Sequence, residues 1–168
     1  MFPTILIRRV EIDADNLAAG VLRSLRSSGR CNELLQRISN EELQRGIYDI
    51  YSHLGEWLFS KLEFEVEERY MGLGMRRAKQ KVPLRELLWA VNTVKTYLLD
   101  YLIQEGLSEQ PVDLCGDRQL LQALQRFFNL ALYYVAAGYE SVRLVPKAHP
   151  VASAQYEDDL NVPARWVP

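Results

Sequence analysis

The fold of this chain is decided by the stretch Tyr70-Met-Gly-Leu-Gly-Met-Arg-Arg-Ala-Lys-Gln-Lys-Val-Pro-Leu-Arg-Glu-Leu-Leu-Trp89. Its first part is an amphipathic segment with a basic C-terminal end. This segment is interrupted at Val82-Pro83, and a second apolar segment follows directly. Proline is tolerated at the start of a helix but not in its interior, and it favours an extended conformation in the residue before it. The stretch therefore predicts two helices joined by a short connection.

Helical periodicity continues on both sides of this stretch, and strand signals are nearly absent. Upstream, Ser39-Asn-Glu-Glu42 has the spacing of a capping box, in which the Ser hydroxyl and the Glu carboxylate satisfy backbone N–H groups reciprocally. Downstream, long apolar segments run from Pro83 to about residue 105 and from Asp117 to about Leu144. We expect an all-α bundle of about six helices over residues 1–145. An extended proline-containing tail is expected over residues 146–168.

Composition and charge exclude several classes of protein. The length of 168 residues suits one domain, and a net charge of −2 gives no electrostatic reason to expect nucleic acid or an anionic membrane as a partner. No run reaches the roughly 20 apolar residues of a membrane span. The N-terminal charges follow the apolar residues, which is unlike a signal peptide. With only two cysteines, the sequence predicts a cytoplasmic protein with reduced thiols.

The two long downstream segments carry more apolar residues than one buried face needs. A second partner is therefore expected for each, from this chain or from another copy of it, and a homodimer is the economical hypothesis. The interface is predicted on the last helix, at Leu124, Phe127, Phe128, Ala131, Tyr134 and Val135. Gly72 and Gly74 are predicted to let another backbone approach closely.

Candidate sites are few, and no set of residues predicts catalysis, a metal site or a cofactor. His53 and Glu56 share a helix face, but metal-binding bundles require further ligands, so a hydrogen-bonded histidine is the simpler interpretation. A ligand pocket is a candidate among the aromatic positions, although aromatic residues at helical spacing are usually core. Its predicted residues are His53, Trp57, Trp89 and Tyr97.

A basic cluster lies around the Val82-Pro83 connection. It is a candidate patch for an anionic ligand or for an acidic protein partner, and its residues are Arg76, Arg77, Lys79, Lys81 and Arg85. The alternative is a solvated helix end, because basic side chains are favoured at the negative end of the helix dipole.

The segment Leu73-Gly-Met-Arg-Arg-Ala-Lys-Gln-Lys-Val-Pro-Leu-Arg-Glu-Leu-Leu-Trp-Ala90 resembles the N-terminal domain of the RsbR/RsbRD-type stressosome regulators. The resemblance implies a non-haem, globin-like helical domain that dimerises and serves as a sensory or regulatory input. The segment is also distantly similar to the proximal-histidine region of globin-coupled sensors, with Arg77 at the position of that histidine. A guanidinium cannot ligate iron, so this position argues against haem.

Two functions therefore stay open from the sequence. The first is a non-enzymatic sensory or regulatory module that acts through homodimerisation and protein contacts, with or without a small-molecule ligand. The second is a globin-like sensor that binds haem or another cofactor through His53.

Overall fold

The computed structural model of the protein describes residues 2–106 and 115–144, and in these residues all regular structure is helical. The side chains of residues 2–4 and 115 are not described, and the tail predicted over residues 146–168 lies outside the described part. The helices are α1 (Phe2–Ile12), α2 (Ala14–Ser28), α3 (Asn32–Arg37), α4 (Asn40–Ser52), α5 (Leu54–Phe59), α6 (Glu63–Lys79), α7 (Leu84–Gln104) and α8 (Cys115–Arg143). The all-α prediction is confirmed.

Eight helices in the described residues exceed the six expected, for two reasons. First, the N-terminal apolar run forms α1, whose Leu6, Ile7 and Val10 are buried against the rest of the core. Second, the chain leaves helical geometry at His53 (φ −122°, ψ 29°), which divides one predicted helix into α4 and α5.

The start of α4 is half of the capping box that the sequence predicts. The Ser39 hydroxyl accepts from the Glu42 backbone N–H at 3.2 Å. The Glu42 carboxylate does not return to Ser39, because it accepts instead from the guanidinium of Arg77 at 2.6 Å. A residue expected to act locally thus joins α4 to α6.

The connection between α6 and α7 is where the sequence places it. Lys81 adopts a left-handed conformation (φ 59°), its N–H donates to the Ala78 carbonyl at 3.0 Å, and the Val82 N–H donates to the Arg77 carbonyl at 3.1 Å. This pair of bonds is the Schellman pattern that closes a helix, usually with glycine at the left-handed position. Pro83 then precedes the first residue of α7.

Helices α6 and α8 form the closest pair in the fold. A Cβ atom at Gly74 would lie 2.1 Å from the Val135 carbonyl oxygen, and one at Gly138 would lie 2.1 Å from the Met71 carbonyl oxygen. The close approach predicted at Gly74 is therefore present. At Gly72 it is not, since a Cβ there would meet only Arg76 of its own helix, at 3.4 Å.

This close packing changes how the last helix is used. Five of the six residues predicted for a dimer interface are buried inside a single copy of the chain: Leu124, Phe127, Phe128, Ala131 and Val135. The sixth, Tyr134, is half-buried, and its hydroxyl donates to Glu63 of α6 at 3.0 Å. The apolar stripe of α8 thus forms the core of the protomer, because α6 occupies the face that the sequence analysis left for a second copy.

Candidate functional site

A cavity of about 410 Å³ lies among α2, α3, α4, α6, α7 and α8. Its volume falls within the range of roughly 300–1,000 Å³ that is usual for small-molecule sites. Most of the lining is apolar, and these residues are Leu25, Leu34, Leu43, Ile47, Ile50, Leu73, Leu87, Ala90, Val91, Val94, Phe128 and Ala131. The cavity therefore offers a largely aliphatic environment that is continuous with the core.

Charged side chains from α4 and α6 complete the lining. From α4 come Glu42, Arg45 and Asp49, and from α6 come Arg69, Arg76 and Arg77. Arg77 is bound to Glu42, and Arg69 forms a second ion pair with Asp49. The two ion pairs join α4 to α6, which are not otherwise among the closely packed helix pairs.

The positive and negative charges of these six residues are unequal in number. Four arginines face two carboxylates, so the charged part of the lining is net positive. Among the residues that the structure describes, Arg45 and Arg76 take part in no ion pair, and both are exposed. Because a guanidinium offers five N–H donors, these two side chains can bind an anion without breaking an existing contact.

Tyr70 is the one uncharged polar residue of the described lining. Its side chain is 2% exposed, and its ring packs edge-on against Trp57 and Phe127. Its hydroxyl is buried beside Arg69 and makes no hydrogen bond of normal geometry with the described residues. Burial raises the pKa of this hydroxyl far above its ordinary value, with a smaller lowering effect from Arg69 and a raising effect from Asp49. The hydroxyl is therefore protonated at neutral pH and is able to donate a hydrogen bond.

The aromatic pocket predicted at His53, Trp57, Trp89 and Tyr97 is not assembled as one site. His53 and Trp57 line a second, open and polar groove that shares Asp49, Arg69 and Arg76 with the cavity. Trp89 lines neither and lies under the guanidinium of Arg30, at 4.3 Å from the ring centre. Tyr97 also lines neither, and its hydroxyl fills the space beside Gly20.

His53 has the surroundings of a surface residue. Its side chain is 49% exposed, and its Nδ1 atom lies 3.0 Å from the Ser52 hydroxyl and 3.2 Å from the Asp49 carbonyl oxygen. No group of three or more potential ligands suitable for a metal occurs in the described part of the chain. An exposed imidazole outside the apolar cavity is poorly placed to ligate haem, which needs an axial ligand within an enclosing apolar pocket.

The predicted basic patch is divided by the fold. Arg77 is buried in its ion pair with Glu42, and Arg76 lines the cavity. Lys79 and Lys81 are exposed beside the turn. Arg85 is also exposed and lies 3.9 Å from Glu33 and 3.8 Å from Glu86. Arg76 and Arg77 thus line the cavity, with Arg77 held in an ion pair, and the other three members of the patch are surface cations.

Sequence reasoning gave no site role to Arg45, Gly46, Asp49, Arg69 or Tyr70. Four of them lie on exposed or amphipathic faces where such residues are common. Gly46 carried a usable signal, since glycine in the interior of a well-capped helix is unfavourable and invites an explanation.

No described helix is both long enough and apolar enough to cross a membrane. Comparison with known families finds that the model of the RsbT co-antagonist protein rsbRD N-terminal domain matches residues 14–145. The match runs from the first residue of α2 past the end of α8 and so includes every helix that lines the cavity. Searches among curated proteins and among solved structures found no match.

Proposed function

This chain belongs to the family of rsbRD N-terminal domains, and on that premise we propose that it is a non-enzymatic regulatory module that acts through contacts with other proteins. The family is one of stressosome-type signalling and regulatory domains. The observation that carries the proposal is the extent of the match, which covers the helical body from α2 through α8 and not merely a short motif. A cytoplasmic location is part of the same proposal.

We further propose that the module works as a homodimer. Support comes from the α5–α6 corner, which we define as Phe59, Leu62 and Phe64. These three large apolar side chains are 57%, 61% and 61% exposed and lie within six residues of one another. Exposed apolar groups concentrated in one segment are typical of protein contact surfaces. A second copy is the occupant we propose, since α8, the helix predicted to dimerise, is already covered by α6.

Light scattering coupled to size-exclusion chromatography tests the dimer directly. For the natural chain the expected mass is close to twice the 19.4 kDa of a single chain. For a Leu62→Glu, Phe64→Glu double variant the mass is expected to fall toward that of a single chain on dilution. The matched control is Glu67→Gln, Glu68→Gln, which changes two exposed positions on the same helix and is expected to leave the mass unchanged. A monomeric mass for the natural chain at every concentration would refute the dimer.

The regulatory role is tested by affinity capture from the native host, with the natural chain and the corner variant as matched baits. A role through protein contacts is supported if signalling proteins co-purify more strongly with the natural chain than with the corner variant. Turnover of any substrate by the purified protein would instead contradict the non-enzymatic assignment. Neither outcome depends on whether the cavity holds a ligand.

A further inference from the structure

We propose that the cavity binds a small anionic amphiphile, a carboxylate attached to an apolar chain or ring, with the apolar part among the aliphatic side chains and the carboxylate at the α4–α6 mouth. The proposed ligand would be the signal that the regulatory module senses, so this inference rests on the proposed function. The mouth is defined here as Arg45, Gly46, Asp49, Arg69 and Arg76, all of which line the cavity.

The interior selects an apolar body. The space of about 410 Å³ is bordered by aliphatic side chains, of which Leu43, Leu73 and Val91 are half-buried and Ile47 is buried. Burying apolar surface there is favourable by about 25 cal/mol per Å². The charged residues of the lining belong to α4 and α6 alone, so a polar group placed among the aliphatic residues of the other helices would lose its hydration without a hydrogen-bond partner.

The mouth selects a negative charge with hydrogen-bond acceptors. Arg45 and Arg76 have no ion-pair partner in the described part of the chain, whereas Arg69 and Arg77 are held by carboxylates on α4. Asp49 and Arg69, both at the mouth, are also the charged side chains that act on the buried Tyr70 hydroxyl. A carboxylate at the mouth neutralises the unpaired guanidinium groups of Arg45 and Arg76.

Gly46 keeps the mouth open. It lies in the interior of α4, and a Cβ built on it has no neighbouring atom within 4 Å. Packing therefore does not require glycine here, in contrast to Gly74 and Gly138, which lie against backbone atoms. The absence of a large side chain at this position leaves the entrance uncovered, although glycine costs a helix interior about 0.5–1 kcal/mol relative to alanine.

Isothermal titration of the full chain with decanoate tests the proposal, with decanol and decyltrimethylammonium as probes of equal chain length. Decanoate is expected to bind saturably at one site, decanol about tenfold more weakly, and the cation not at all. Raising the ionic strength is expected to weaken decanoate binding, because the guanidinium groups at the mouth are exposed. Equal affinity for decanoate and decanol would overturn the anionic part of the proposal.

Four variants locate the ligand. Arg45→Gln, Arg76→Gln is expected to weaken decanoate about tenfold, as loss of charge-assisted hydrogen bonds would. Its matched control removes two exposed cations outside the cavity, Arg26→Gln, Lys79→Gln, and leaves binding unchanged. Gly46→Phe is expected to abolish binding by filling the mouth, whereas Gly46→Ala retains it. Far-ultraviolet circular dichroism confirms that each variant is folded.

Tyr70→Phe is a further control. It removes a hydroxyl that is covered from the cavity and is expected to leave decanoate binding unchanged and the unfolding temperature equal or higher, since a buried polar group is lost. Unchanged affinity in Gly46→Phe would place the ligand elsewhere and overturn the site. Failure of decanoate to bind the natural chain would overturn the whole inference without changing the mass or capture results above.

Discussion

Gly74 of α6 lies against the backbone of α8, and Gly138 of α8 lies against the backbone of α6. The two glycines act reciprocally, because each removes a side chain from the path of the other helix. The contacts that a Cβ would meet are carbonyl and amide atoms, which cannot rotate away as a flexible side chain can. The α6–α8 crossing is therefore tightly constrained, and other residues of both helices line the cavity.

Gly74→Ala is expected to reduce the free energy of unfolding by about 3 kcal/mol, because the added methyl group forces α6 away from α8. Urea unfolding followed by circular dichroism measures this effect. Gly72→Ala, two residues earlier on the same helix, has space for its methyl group and is expected to stabilise by about 0.5–1 kcal/mol. Similar effects of the two substitutions would contradict the assignment of close contact to Gly74.

Much of the helix pattern was predictable because its signals are local. Ser39 caps α4, Gly29 ends α2 with φ 65°, and Pro83 separates α6 from α7, each through chemistry within a few residues. Helix α1 and the break at His53 were missed because both depend on tertiary neighbours. Glu11 of α1 accepts from the Gly55 N–H of α5 at 3.1 Å, a contact between residues 44 positions apart.

The site was predicted less well, for a physical reason. Aromatic residues at helical spacing mark apolar faces, but they do not show which face borders empty space. Trp57 and Tyr97 instead fill gaps between helices, while the cavity is bordered largely by aliphatic residues from six helices. The burial of Arg77 is equally invisible to local pattern, since Glu42, its partner, lies 35 residues away.

Lys81→Gly is expected to stabilise the protein by about 0.5 kcal/mol. A left-handed conformation costs a residue with a side chain about 1–2 kcal/mol, and part of the gain is offset by the greater freedom of glycine in the unfolded chain. The change is measured as a shift of the denaturant midpoint, with an unchanged slope of unfolding free energy against denaturant concentration. Lys79→Gly, in the last turn of α6, is the matched control and is expected to destabilise by up to about 1 kcal/mol. A loss of stability in Lys81→Gly would contradict the left-handed turn.

Glu86 of α7 caps the start of α3. Its Oε2 atom accepts from the Leu34 N–H at 2.9 Å in a buried setting, at a helix whose N-cap residue, Cys31, makes no side-chain capping bond. Glu86→Ala leaves that N–H without an acceptor and is expected to cost about 1–3 kcal/mol.

Amide hydrogen exchange at Leu34 measures the loss locally, and urea unfolding measures it globally. Glu86→Gln keeps an acceptor oxygen and is expected to cost less than Glu86→Ala. Glu41→Ala, at an exposed position in the first turn of α4, is a control expected to change stability by only about 0.5 kcal/mol. Unchanged exchange at Leu34 in Glu86→Ala would contradict the capping role.

Alkaline pH is expected to destabilise the fold through Cys31. Burial, with a smaller contribution from the nearby Glu86, raises the pKa of this thiol from 9.0 to about 11. Between these values the unfolded chain has lost the proton and the folded chain retains it, so the folded state binds more protons and stability falls as pH rises. The contribution is fully present below pH 9 and is lost by about pH 11, with a magnitude of up to about 3 kcal/mol.

Unfolding free energies measured from pH 8 to pH 11 test this slope, with Cys31→Ala as the matched variant. The variant is expected to start less stable, because a buried side chain is truncated, and to lose less stability over the same interval. Burial and the hydrogen bond to Asp13 raise the pKa of Tyr101 from 10.0 to about 12, so its contribution begins to be lost above pH 10 in the natural chain and in Cys31→Ala alike. Parallel pH profiles for the natural chain and Cys31→Ala would show that Cys31 is not the group responsible.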